Sequence, residues 1–171
     1  NLAGVGVAFY LMAALNRLLP GDPADMRQYL DLVALGTLAD VVNLQAHNRI
    51  LTKNGLLLIA EAHRPGIAAL KDAAGFKPSA ALGAGQVVFG LAPRINAAGR
   101  MGHAQDALDL LLAPDYATAK PLANKLNDLN RQRRAEEDQI HKEALEQAES
   151  LLDNPGLVLC QNRGFRVLDK T

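Results

Sequence analysis

Apolar residues at Val5, Phe9, Met12, Leu15 and Leu19 recur in steps of three and four, which predicts a helix over residues 3–19 that stops at Pro20-Gly21. Its other face carries the small residues Ala3, Ala8 and Ala13, and so broad an apolar surface predicts a buried helix. Asp22 followed by Pro23 is a cap with proline in the first turn, and it predicts a second helix running on to Asp40. Nearly every position from Leu30 to Leu38 is apolar or small, so that part of the helix should be enclosed on several sides. A third helical pattern covers residues 46–62, with Gly55 tolerated inside it, and Pro65-Gly66 restarts a short helix to about Ala74. The Gly-, Pro- and Ser-containing stretch "GFKPSAALGAGQ" predicts a loop.

Beyond it come a short apolar helix, a break at Pro93, a loop-like middle with a Gly-containing turn, and a helix over residues 104–112. From Tyr116 to Leu152 the pattern is helical again: Leu122, Leu126 and Leu129 form a stripe that Ile140, Ala144 and Ala148 continue. Such a helix would be about 45 Å or more in length, a dimension typical of a connector or of one arm of a coiled coil. "LVLC", residues 157–160, predicts a short strand, and "QNRGFRVLDKT" shows no clear pattern. No internal repeat or low-complexity segment is present. The predicted fold is mainly α. Its parts are residues 1–114, a long connector helix over 115–153, and residues 154–171 as the start of a further domain or a non-native tail.

Composition narrows the classes. The 171 residues carry 18 Lys and Arg against 18 Asp and Glu, which argues against a uniformly basic nucleic-acid coat or a polybasic membrane anchor; any anion site must be local. Cys160 is the single cysteine, so there is no internal disulfide framework and no cysteine-based zinc site, and the cytoplasm is the expected compartment. The apolar opening lacks a basic leader region and meets Asn16 and Arg17 short of the roughly 20 residues a membrane span needs. The chain starts without Met, and we expect it to be a fragment or a processed product.

Two groups of residues stand out chemically. Asp40 ends an apolar helix, and an ionised carboxylate among apolar groups is costly unless it is paired, hydrogen-bonded or bound to a metal. It can cap the next turn, pair with Arg49, or serve as an oxygen ligand for Mg²⁺ or Mn²⁺, and one carboxylate does not make such a site alone. In "APRINAAGR", residues 92–100, Arg94 and Arg100 flank Asn96, two alanines and Gly99. Small residues let backbone approach a ligand, Gly99 can take a positive φ, and arginine presents a planar fork of donors that suits phosphate oxygens. The same string also fits a helix N-terminus with surface arginines. In "HNR", His47 fits a solvated helix start, Asn48 a cap, and Arg49 a neutralising partner for Asp40. The charged cluster from Arg131 to Asp138 fits a solvated helix face, and Cys160 a small core residue.

The strings "LDLVALGTLADVV", "NRILTKNGL", "RPGIAAL", "LAPRINAAGR" and "LNDLNRQRR", in that order, closely resemble the RecJ-like single-stranded-DNA exonucleases of the DHH phosphoesterase superfamily, over roughly residues 1–158. The resemblance implies a 5′-to-3′ exonuclease of DNA repair and recombination that hydrolyses phosphodiesters with a pair of Mn²⁺ or Mg²⁺ ions. It implies that Asp40 is a metal ligand and catalytic residue, that Arg100 grips a DNA phosphate, and that Asn96 and Arg94 support the same pocket. The segment would be the helical second half of an α/β catalytic domain with its connector helix. The family's Asp-His-His motif lies outside these 171 residues, so the segment by itself is expected to be inactive and to hold no metal tightly. Without the family's parallel sheet, the apolar faces of residues 5–19 and 30–38 would favour self-association. Two other functions fit the residues: a DHH-type pyrophosphatase or small-nucleotide phosphodiesterase, and a non-catalytic helical interaction module in which Asp40 is only a cap.

Overall fold

The computed structural model describes residues 2–40, 42–77 and 79–150, together with the backbone of 161–162 and 165–166. Among these residues the fold is helical apart from one small hairpin: α1 (Gly4–Leu18), a 3₁₀ turn (Met26–Tyr29), α2 (Leu30–Ala39), α3 (Ala46–Glu61), α4 (Pro65–Ala73), α5 (Ala84–Gln86), a π-turn (Val87–Leu91), α6 (Ala92–Met101), α7 (Ala104–Leu112), α8 (Tyr116–Ser150), β1 (Gln161–Asn162) and β2 (Phe165–Arg166). It divides into two compact units, residues 1–130 and 131–171.

In the first unit α2 is the centre, packed by α1, α3, α6 and the π-turn. Its all-round apolar composition is thus accounted for: Ala34, Leu35 and Leu38 share one core with Ile59 of α3, Leu70 of α4 and Leu110 of α7. Each large aliphatic side chain taken fully out of water in this way contributes about 1.5–3 kcal/mol. α8 joins through Ala119, Ala123 and Leu126, which lie at three- and four-residue spacing on one face.

Two glycines set how closely the helices approach. A Cβ at Gly55 would lie 2.0 Å from the Leu30 carbonyl oxygen, so α3 crosses α2 in near backbone contact; a Cβ at Gly66 would lie 2.1 Å from the Leu110 carbonyl oxygen, where α4 meets α7. The C-terminus of α3 has no glycine cap. Instead Ala62 takes the left-handed conformation (φ 51°), and the fully buried Lys71 of α4 donates from Nζ to the carbonyls of Ile59 (2.9 Å), Ala60 (3.0 Å) and Ala80 (3.0 Å). Otherwise unmatched helix-end acceptors and the loop at Ala80 are held by one ammonium group, whose pKa burial pushes down.

Several sequence expectations are corrected. The second helix begins at Leu30 rather than near Asp22, because Asp25 caps a 3₁₀ turn first, its carboxylate accepting from the Arg27 N–H at 3.0 Å. α1, expected to be buried, buries only Gly6 within the helix and leaves Leu11, Met12 and Leu18 exposed. Val5 meets α2 against Gly36, while Phe9, Met12 and Leu15 face an open groove of 530 Å³ shared with Met26, Tyr29 and Leu32. The loop-like middle around Pro93 is helical. The strand expected at 157–160 lies outside the described residues.

In the second unit, α8 runs on with mostly exposed side chains and i,i+4 pairs: Arg133 with Glu137, and Gln139 Nε2 donating to Glu143 Oε1 at 2.7 Å. β1 and β2 pair antiparallel, Gln161 opposite Arg166 and Asn162 opposite Phe165. No helix among the described residues is long and apolar enough to cross a membrane.

Candidate functional site

Asp40 is the C-cap of α2, its N–H bonded to the Gly36 carbonyl at 3.1 Å. The helix is buried as far as Leu38 and emerges at its last turn, so the carboxylate is exposed rather than surrounded by apolar groups. Neither protein-internal explanation for it is realised: among the described residues the Asp40 carboxylate forms no hydrogen bond or ion pair, and Arg49, exposed on the first turn of α3, does not reach it.

The acid that is buried on α2 is a different one. Asp31 is 4% exposed and accepts from Arg64 through Nε (2.7 Å, Oδ2) and Nη2 (3.2 Å, Oδ1), and from the Leu32 N–H (2.8 Å). The Arg64 guanidinium also donates to the Gln28 carbonyl at 3.4 Å and lies 5.9 Å from the Tyr29 ring centroid. An acid in the first turn is also favoured by the helix dipole. Sequence reasoning misses this pair; the available signal is a second acid, Asp31, in the same apolar run.

"APRINAAGR" occupies α6, and its conformation depends on the turn before it. Ala92 N–H bonds the Val87 carbonyl, five residues back, so Val87–Leu91 is a π-turn, and Pro93, which has no N–H to donate back into that turn, falls at the start of α6 with the helical φ that proline prefers. Helix therefore replaces the expected break. Ala92, Ala97 and Ala98 point into the core. Asn96, Gly99 and Arg100, at i, i+3 and i+4, share the exposed face, and exposed His103, the N-cap residue of α7, comes next. Gly99 is helical rather than at positive φ; its missing side chain leaves bare helix surface beside Arg100, and a Cβ there would meet nothing within 4 Å.

Arg94 does not share that face. It is half-buried and turned toward α8, donating from Nε to Asn127 Oδ1 at 2.9 Å and from Nη1 to the Gly90 carbonyl inside the π-turn. Asn96 and Arg100 are thus brought together while Arg94 is set apart from them. α2 and α6 pack against each other, so the helix ending at Asp40 and the helix presenting Arg100 are neighbours.

The "HNR" residues serve the fold. His47 Nδ1 is 2.8 Å from Tyr10 Oη, and buried Asn48, rather than capping α3, accepts from the Ala3 N–H (3.3 Å) and donates to the Asn43 carbonyl (3.0 Å). As a metal site the described residues are incomplete: no group of three or more His, Cys, Asp or Glu side chains is gathered among them. One carboxylate offers one or two oxygens where Mg²⁺ or Mn²⁺ takes about six donors, so Asp40 does not hold an ion by itself.

No protein-family model matches the chain. It is 45% identical over 161 residues to the single-stranded-DNA-specific exonuclease RecJ of Salmonella typhimurium, a match that takes in 88% of this chain and 28% of that protein. Among solved structures, exonuclease RecJ bound to manganese superposes with a TM-score of 0.71 at 41% identity, over 82% of this chain and 35% of that one. RecJ of Thermus thermophilus in complex with Mg²⁺ gives 0.70 at 42% identity, over 81% and 22%. The chain spans little more than a quarter of the length of the Salmonella relative. In sequence and in fold, what this chain is similar to is thus one helical portion of RecJ, over 81–88% of its own length.

Proposed function

We propose that this chain is part of a single-stranded-DNA exonuclease that removes nucleotides in the 5′-to-3′ direction during repair and recombination. Asp40 would contribute to a divalent-metal site, and Asn96 and Arg100 would seat a DNA phosphate. The observation that carries this reading is that two exposed, opposite charges stand on neighbouring helices. Neither the Asp40 carboxylate nor the Arg100 guanidinium has a partner among the described residues, whereas Asp31, at the other end of α2, and Arg64 are fully engaged with each other. The RecJ relatives support it, and two of the solved ones carry manganese or magnesium.

Mn²⁺ or Mg²⁺ in such a site would activate water and offset charge at phosphorus. The donors among the described residues do not complete that site, so the rest of the ligand set would come from elsewhere in the full-length protein. In the same reading residues 1–114 form the helical part of the catalytic domain, 115–153 a connector, and 154–171 the beginning of a further domain. The uncovered apolar side of α1 supports self-association of the isolated chain.

The chain alone, given Mn²⁺ and 5′-phosphorylated single-stranded DNA, should show no turnover. Within a RecJ-length protein containing it, Asp40→Ala should remove turnover and leave DNA affinity nearly unchanged, whereas Arg100→Ala should lower both. Robust Asp40-dependent digestion by the isolated chain, or wild-type turnover in either variant of the long protein, would overturn the corresponding assignment.

A further inference from the structure

We propose that Asn127 is a positioning residue: by holding Arg94 it fixes the rotation of α6 that turns Asn96 and Arg100 to solvent. The proposal rests on reading that face as a phosphate seat. Three observations carry it.

First, the face is set by an irregular turn. With about 100° of rotation per residue, the extra residue accommodated by the π-turn decides which side of α6 points outward. A regular α-turn in its place would swing Asn96 and Arg100 away and bring part of the Ala92, Ala97 and Ala98 side out of the core.

Second, the turn receives a side-chain donor from outside it. Pro93 supplies no N–H to the Phe89 carbonyl four residues back, and the Gly90 carbonyl inside the turn receives a side-chain donor, Arg94 Nη1. The same guanidinium donates from Nε to Asn127 Oδ1 at 2.9 Å.

Third, Asn127 is well anchored. It sits on α8 next to fully buried Leu126, on a helix whose Ala119 and Ala123 are also in the core, so its oxygen is a fixed point against which Arg94 is held. Arg94, for which the resemblance implies support of the phosphate pocket, thus acts through the turn. Asn127 supplies the acceptor that orients it, 33 residues away in sequence.

The requirement at 127 is an acceptor oxygen of a given reach, which Asp provides and Leu does not. The test uses the full 171-residue chain, ¹⁵N-labelled, titrated first with inorganic phosphate and then with a 5′-phosphorylated oligothymidylate. The backbone amides of Gly99 and Arg100 are the readout, and each variant's melting temperature is recorded.

We expect saturable shifts at Gly99 and Arg100 in the wild type, an apparent Kd about fivefold weaker in Asn127→Leu, as for one misoriented charged donor, and near wild-type behaviour in Asn127→Asp. Asn127→Leu titrating like wild type, or Asn127→Asp losing affinity as Asn127→Leu does, would overturn the positioning role while leaving the seat intact. No shift in the wild type, or an unchanged titration in Arg100→Ala, would remove the seat itself and the proposal with it.

Discussion

The two ends of α2 carry the same residue type in opposite circumstances. At the N-terminal end Asp31 is buried, bridged by two nitrogens of Arg64 and by a backbone N–H; at the C-terminal end Asp40 projects into solvent with no protein partner among the described residues. Desolvation explains the division. A carboxylate withdrawn from water must have its lone pairs matched by donors, which consumes its capacity to bind anything else. A carboxylate kept at the rim retains that capacity and adds little to the stability of the fold. The same contrast separates Arg64, fully engaged, from Arg100, exposed on α6.

The sharpest way to break this comparison is to remove one partner at each end. Arg64→Ala strands Asp31 in the interior and should cost about 3 kcal/mol or more of unfolding free energy, as for other broken buried pairs. Asp40→Ala should stay within about 0.5 kcal/mol of wild type, the usual range for surface changes. Urea denaturation of the two variants side by side reads both. Comparable losses would mean that Asp40 supports the fold and that its solvent position is not that of a ligand held in reserve.

Glycine gives a second, smaller contrast. Gly55→Ala forces a methyl group against the Leu30 carbonyl at the crossing of α2 and α3, and should destabilise by roughly 1–3 kcal/mol through overpacking. Gly99→Ala meets open space on an exposed helix face and should stabilise by about 0.5–1 kcal/mol from helix propensity alone. If that face seats a phosphate, Gly99→Ala would still weaken phosphate binding, because the methyl group covers the bare surface beside Arg100. Melting temperature and phosphate titration moving in opposite directions in one variant would be hard to explain if that surface had no ligand.

The legible parts of the molecule are those decided by neighbours in sequence. Helices expected over 3–19, 46–62, 65–74 and 104–112 are found at Gly4–Leu18, Ala46–Glu61, Pro65–Ala73 and Ala104–Leu112, since apolar periodicity and Pro or Gly stops act locally. The illegible parts depend on distant partners. Pro93 and Gly99 look like helix breakers, yet a π-turn leads into a helix that runs through both and ends only at Gly102, and an Arg94–Asn127 bond ties that helix to a residue 33 positions away. Likewise, nothing within a few residues of Asp31 announces Arg64. Asp40 stands out in the sequence as an acid among apolar neighbours, but burial is the property of Asp31; Asp40 lies where the apolar helix leaves the core.

A third carboxylate, Asp72, has the smallest expected effect and shows a partnered acid in partial contact with solvent. Its Oδ2 accepts from Lys120 and from Tyr116 Oη (2.7 Å), joining α4 to α8, and those hydrogen bonds, the lysine's first, hold its pKa below the ordinary 3.8. A carboxyl whose pKa is lower folded than unfolded releases its proton more readily in the native state. Its stabilising contribution is therefore complete above about pH 3.8 and disappears as the pH falls through the lower folded value. Asp72→Asn should flatten the acid limb of the stability curve below pH 3.8 with little change in slope at neutral pH, and Lys120→Met should do so in part, leaving the Tyr116 contribution. With both groups more than a third exposed, the effect is attenuated by solvent and salt, so it should shrink further at high ionic strength. An acid limb unchanged in both variants would place the tie between α4 and α8 among exposed contacts that contribute nothing measurable, and would leave the Asp31 pair as the electrostatic contact that matters to this fold.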